Sequence, residues 1–128
     1  MGLPEIDVGL LGGGKHTQRL FPHSLRRRMM LTGYRVPGPE LYRLGIVEAS
    51  VPRAQLMDRA MEVARQIASK SPAAIRLAKR TLNTIEDMTL RDGNRYEQNM
   101  TTELGDHPDS AEAQAAFREK RKPKFQDG

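Results

Sequence analysis

The stretch LMDRAMEVARQIA, residues 56–68, followed by SKSPAAIRLAKRTLNTI, residues 69–85, decides the fold class. In its first part Leu56, Ala60, Val63, Ala64, Ile67 and Ala68 recur at steps of three and four. That is the spacing at which side chains share one face of an α-helix. Ser71-Pro72 then marks a new start. A serine oxygen can accept a hydrogen bond from a first-turn amide, and proline suits the first helical position, where its missing N–H is not needed. Ile75, Ala78, Leu82 and Ile85 continue a stripe predicted to be buried.

Helical punctuation extends in both directions. Toward the C-terminus Asp92 can cap a helix on which Tyr96, Met100 and Leu104 line up at i, i+4 and i+8. Beyond Gly105 and Pro108, Ser110 can cap a last helix carrying Ala113, Ala116 and Phe117. Toward the N-terminus residues 16–32 read as one helix with Leu20, Leu25, Met29 and Met30, ended by Gly33 where a helix C-terminus favours glycine. Val36-Pro37-Gly38-Pro39 turns into a short helix, Glu40 to Leu44, stopped by Gly45. Ile46 to Val51 is the only strand-like piece, and Pro52 ends it. Gly2 to Gly14 holds six glycines or prolines and no helical period, so it reads as loop.

The expectation is a mainly α chain of about six helices with at most one short strand. It divides into a glycine-rich loop at 1–15, a helical domain at 16–119 and a basic tail at 120–128. The apolar faces outnumber what one small core can hold, which points to burial against something else.

Composition narrows the functional classes. With 38% apolar and 29% charged residues, the 128-residue chain has a globular profile. No apolar run approaches the roughly 20 residues of a membrane-spanning helix. Cysteine is absent, so no thiolate metal site or disulfide is available. Met1 to Leu11 carries no basic residue ahead of its apolar stretch, unlike a secretory leader, and a cytoplasmic or organelle-matrix location is expected. A net charge of +5 suits a phosphate-bearing partner, whereas 5% aromatic content without tryptophan supplies few stacking platforms for single-stranded nucleic acid. Neither nucleic acid nor membrane is expected as a partner.

Gly9 to His16 comes within one residue of a phosphate-cradling P-loop, but His16 stands where Ser or Thr must hold Mg²⁺. A glycine-rich turn feeding a helix is the better reading. His16, His23 and His107 share no metal-ligand spacing, so no metal is expected. No serine sits in a nucleophile-elbow context, and the Asn99-Met100-Thr101 sequon is read as accidental. Arg26-Arg27-Arg28 and the 120–124 cluster read first as solvated charge and second as phosphate-binding.

Pro4-Glu5-Ile6, then Gly9, then Thr17-Gln18-Arg19-Leu20 resembles the segment linking a catalytic glutamate to its following helix in the crotonase (enoyl-CoA hydratase/isomerase) family. Leu31-Thr32-Gly33, Gly45-Ile46-Val47, Val51-Pro52, Ser71-Pro72, Ala78-Lys79, Met88-Thr89-Leu90, Glu97, Ala116-Phe117, Glu119-Lys120-Arg121, Pro123 and Phe125 continue the resemblance in order. It implies the C-terminal helical half of a crotonase-like α/β fold. The helices would mediate self-association, as a trimer or, next, a dimer. It implies an acyl-CoA thioester substrate, with coenzyme A as part of that substrate and no separate cofactor.

Glu5 matches the second of the family's two glutamates. The first, and both oxyanion donors, belong to the family's N-terminal half, so these residues alone are expected to be inactive. Lys15, His16, Phe117 and Lys120 are the substrate-binding candidates. Lys15 and His16 replace small family residues beside the acyl pocket, which suggests an acyl group that uses polar contacts. The rival reading is a non-catalytic, self-associating helical module.

Overall fold

The structure, a computed structural model, describes residues 1–126, and the last two positions of the expected basic tail lie outside them. Among the described residues it contains seven α-helices and no strand: α1 (Gly14–Thr17), α2 (His23–Thr32), α3 (Gly38–Arg43), α4 (Leu56–Ala68), α5 (Pro72–Ile85), α6 (Leu90–Gly105) and α7 (Pro108–Arg118). Two 3-10 helices, Pro4–Val8 and Arg53–Gln55, complete the elements. The mainly α expectation holds. The chain forms two compact units, Met1–Leu56 and Met57 onward.

The first unit is organised around Leu3, Phe21, Met29, Val36 and Leu41, all buried. Met29 is fully enclosed, and burying such a side chain contributes roughly 1.5–3 kcal/mol. Leu25, Met30, Tyr34, Ile46 and Val47 pack around this cluster. Backbone groups of Met1 and Val36 exchange two hydrogen bonds of 2.7 Å, which brings Leu3 into the core. Gly33 ends α2 in the left-handed conformation (φ 65°), as its position predicts. A Cβ there would lie 2.7 Å from Asp7 Oδ1, so the site needs glycine on two counts.

Several local expectations are corrected. The helix expected over 16–32 is broken into α1 and α2 by turns at 18–20 and by Pro22, which disfavours a helical residue before it. The 1–15 loop contains the 3-10 helix Pro4–Val8, with proline in its first turn. Ile46 to Val51 is irregular, because an isolated strand has no neighbour to satisfy its backbone groups. Ile46 and Val47 serve the core instead.

In the second unit α5 packs against α6, and α6 against α7. Ser71 caps α5 as expected, accepting from the Ala74 amide at 3.1 Å. Asp92 is not the cap of α6: Thr89 is, accepting from the Asp92 amide at 3.2 Å while donating to Asp92 Oδ2 at 2.7 Å. Nor is Ser110 the cap of α7. His107 takes that place through Nδ1, 3.1 Å from the Asp109 amide, with Pro108 in the first turn.

The buried line of α5 is also shifted. Leu77 and Thr81 are inside, whereas Ala78 and Leu82 are exposed beside a cleft of about 280 Å³ against α6. None of the residues of α4 is buried, despite its clean apolar stripe. No helix of the described residues is long and apolar enough to cross a membrane.

Candidate active-site segment

Glu5 is held by three consecutive devices of the first unit. Leu3 is 6% exposed and anchors the segment in the core. Pro4 then starts the 3-10 helix, and Gly9 closes it in the left-handed conformation (φ 74°), donating to Ile6 O at 3.2 Å. The Leu10 amide donates to Glu5 O at 2.9 Å, so the backbone of Glu5 is tied into a closed turn.

Its side chain lies against the glycine run. A Cβ at Gly12 would sit 3.1 Å from Glu5 Oε1 and 3.3 Å from its Cγ and Cδ. Gly12 is therefore a wall of the carboxylate's site. Gly13 is left-handed (φ 68°), and a Cβ there would meet Leu3 Cδ2 at 2.6 Å. Thr17, itself buried, locks the turn: its hydroxyl lies 3.1 Å from both Gly13 O and Gly14 O.

Glu5 Oε2 is buried and, among the described residues, has no hydrogen-bond partner. Burying a polar oxygen without a partner costs free energy, and folded proteins keep few such groups. An unpaired buried oxygen in a preformed turn marks a candidate site. A carboxylate with one oxygen shielded from water and uncommitted can accept a proton from, or return one to, a reacting atom placed beside it.

The other candidates separate. Glu5, Lys15 and His16 belong to the first unit, and both Lys15 and His16 are exposed. Lys15 lines a cleft of about 370 Å³ with Gly14, Gln18, Arg26, Arg27 and Met30, to which His16 does not contribute. Phe117 and Lys120 belong to the second unit. Phe117 is 85% exposed at the end of α7. Lys120 is the only non-glycine residue with positive φ (54°) among those described. Its amide donates to Phe117 O at 3.3 Å and that of Arg121 to Ala116 O at 3.0 Å, a Schellman closure of α7. Lys120 thus has a structural task alongside its expected binding role.

Sequence reasoning missed Gly12 as the neighbour of the Glu5 carboxylate, and it missed the meeting of Lys15 with Arg26 and Arg27. It noticed the arginine run but had no signal that the turn at 18–22 would fold it back. Among the described residues no group of three His, Asp or Glu side chains gathers as a metal site would require.

The tail of the second unit is held by two carboxylates. Asp109, 1% exposed, accepts from Ser71 Oγ at 2.5 Å and from the Gln126 amide at 3.1 Å. The Ser71 hydrogen bond, first, holds its carboxyl below the usual range, with the Gln126 amide and the His107 and Arg76 charges assisting against burial. Glu112 receives Arg121 at 2.6 and 3.1 Å and the Lys124 amide at 2.7 Å. The Arg121 guanidinium, first, and that amide bring its pKa down to about 2.

Comparison with known proteins agrees with this arrangement. Residues 1–128 match the family model described as enoyl-CoA hydratase/isomerase. The chain is 37% identical over 123 residues to a Rhodococcus jostii protein named (7aS)-7a-methyl-1,5-dioxo-2,3,5,6,7,7a-hexahydro-1H-indene-carboxyl-CoA hydrolase, covering 96% of this chain and 48% of that one. It is 35% identical over 127 residues to the mitochondrial enoyl-CoA hydratase of Pongo abelii, covering 97% of this chain and 44% of that one. The crystal structure of an enoyl-CoA hydratase from Bacillus anthracis superposes with a TM-score of 0.91 at 31% identity, over 99% of this chain and 50% of that one. The chain spans about half the length of the curated relatives it matches. With the family model matched over residues 1–128 and relatives at 35–37% identity along nearly all of this chain, the chain belongs to the enoyl-CoA hydratase/isomerase family.

Proposed function

We propose that the chain is the C-terminal, helical part of an enzyme acting on acyl-CoA thioesters, in which Glu5 is the general acid/base at the α-carbon or on the attacking water. The observation that carries this reading is the buried, unpartnered Oε2 of Glu5 in a turn shaped by Gly9, Gly12 and Gly13. Relatives are named as hydratases and as a hydrolase of CoA thioesters, and both chemistries use a positioned carboxylate to move a proton. Coenzyme A enters only as part of the substrate, and no further cofactor is invoked.

By the family resemblance, the oxyanion donors and the first glutamate belong to the N-terminal half. Loss of one oxyanion donor typically costs about a hundred- to a thousand-fold in rate. These residues alone should therefore give no turnover, while the same chain joined to a family N-terminal half should. The test follows the enoyl thioester's ultraviolet absorbance with a short-chain enoyl-CoA. The joined protein should lose about a hundred- to ten-thousand-fold in kcat on Glu5→Gln with KM nearly unchanged. Turnover by the isolated chain above its own Glu5→Gln control refutes the division of labour.

A second reading, self-association as a trimer or dimer, is supported by α4, whose stripe of Leu56, Ala60, Val63, Ala64 and Ile67 contains no buried residue. An exposed apolar face of this kind favours association. Light scattering at tens of micromolar should return a multiple of the chain mass, and a clean monomer rejects this reading.

A further inference from the structure

Three cations of the first unit converge on one cleft. Lys15, Arg26 and Arg27 line it between α1 and α2, with Gln18, Gly14 and Met30 completing the wall. No lining residue is acidic, and among the described residues none of the three cations has a carboxylate partner. The arginine run divides by task. Arg28 lies over the Tyr34 ring, 3.8 Å from its centroid, while Arg26 and Arg27 serve the cleft. A merely solvated run would leave its charges spread. Here two arginines are brought against a lysine eleven positions away, so like charges are gathered at the expense of mutual repulsion. Such a concentration attracts an anion, and arginine's planar fork suits a carboxylate's two oxygens.

The cleft's position says which anion. A Cβ at Gly12 would lie 3.1 Å from the Glu5 carboxylate, and Lys15 follows three residues later. At 3.8 Å per residue, the Cα atoms of Gly12 and Lys15 are at most about 11 Å apart. A group bound there lies within an acyl chain's reach of Glu5, whereas the phosphates of coenzyme A are at the far end of the pantetheine arm. Met30 offers an apolar wall to the methylenes between, and its Sδ would lie 3.0 Å from a Cβ at Gly14, so the turn hugs α2 closely.

We propose that this cleft binds a carboxylate carried on the acyl part of the substrate, making the chain's preferred thioester a dicarboxylic acyl-CoA. The proposal rests on the reading of Glu5 as the acid/base that acts on that thioester. The test compares glutaryl-CoA with pentanoyl-CoA, which carries a methyl group in place of the terminal carboxylate, and with coenzyme A alone. Each is titrated into the 128-residue chain while backbone amide shifts are followed.

Glutaryl-CoA should bind about tenfold or more tightly than pentanoyl-CoA, with shifts at Lys15, Gln18, Arg26 and Arg27. Arg26→Ala with Arg27→Ala should abolish the preference, and Arg26→Lys with Arg27→Lys should keep part of it. Lys15→Ala, on an exposed side chain, should weaken the preference about threefold even if the double variant fails to fold. Equal affinity for the two thioesters overturns the proposal. So does coenzyme A alone producing the same shifts, since the cleft then reads phosphate. Loss of the preference leaves the Glu5→Gln rate test untouched. Conversely, an unchanged rate in Glu5→Gln with the preference intact fails the Glu5 reading alone.

Discussion

The two units place their large apolar side chains differently. In the first, Leu3, Phe21, Met29, Val36 and Leu41 form a closed cluster, while Val8, Leu10 and Leu11 just after Glu5, and Leu20, Leu31 and Tyr42 further on, remain exposed. In the second, Leu77 is buried, while Leu82, Leu90 and Phe117 are 63%, 92% and 85% exposed and α4 buries nothing. The second unit compensates with polar ties: the Ser71–Asp109–Gln126 link and the Glu112–Arg121–Lys124 link. The difference teaches that the first unit carries its own reason to hold Glu5 in place. The helices of the second leave most of their large apolar side chains outside any core of their own.

The largest effect should come from removing the centre of the first core. Met29→Ala should destabilise the first unit by about 2–5 kcal/mol, the usual cost of truncating a fully buried side chain. Denaturant unfolding followed by amide signals of each unit checks this. Equal loss in both units would break the comparison.

Next is the unburied stripe of α4. Ile67, 49% exposed, can be changed to Glu without cost to either unit's own packing. Ile67→Glu should shift the chain toward monomer by tenfold or more in sedimentation, with helicity unchanged. An unaltered association constant would remove α4 from the contact.

Acid should distinguish the units as well. Asp109 and Glu112 ionise more readily when folded than when unfolded. The stability they contribute is fully present above their ordinary values and is lost as the pH falls through the folded ones. For Glu112 the window runs from its ordinary 4.5 down to about 2. Hydrogen exchange at Lys124 and Gln126 should accelerate across this window while the Val36 amide stays protected. Glu112→Gln should bring the Lys124 change to neutral pH. Flat protection at Lys124 down to pH 2 would contradict the tie.

The smallest effect is at Lys120, whose left-handed backbone is unfavourable for any side chain. Lys120→Gly should stabilise the second unit by about 0.5–1 kcal/mol, read as a rise in thermal midpoint. A fall would show that the lysine's contacts outweigh its strain.

Local signals in the sequence were legible and nonlocal ones were not. Ser71-Pro72 and Gly33 could be read because cap chemistry is decided within a turn. Asp92 reads as a cap because its carboxylate stands beside the true one, accepting from the Thr89 hydroxyl, and an imidazole acceptor such as His107 is a rarer cap than a serine such as Ser110. The stripe of α5 was misplaced by one residue, since which side of an Ala-rich helix is covered depends on α6. Glu5 stood out only through the family resemblance. A lone glutamate in a glycine-rich loop has no signature until the fold buries its oxygen. The cleft of Lys15, Arg26 and Arg27 was hidden because Pro22 and the preceding turn fold the chain back.

The central claim, that Glu5 moves the proton, is tested most directly by isotope exchange. The chain joined to a family N-terminal half is incubated with a short-chain enoyl-CoA in D₂O, and deuterium entering the α-carbon of the product is followed by NMR. The account predicts incorporation slowed about a hundred-fold or more in Glu5→Gln, with thioester affinity retained. Incorporation within about threefold of the unmodified protein, in a folded assembly, would contradict it.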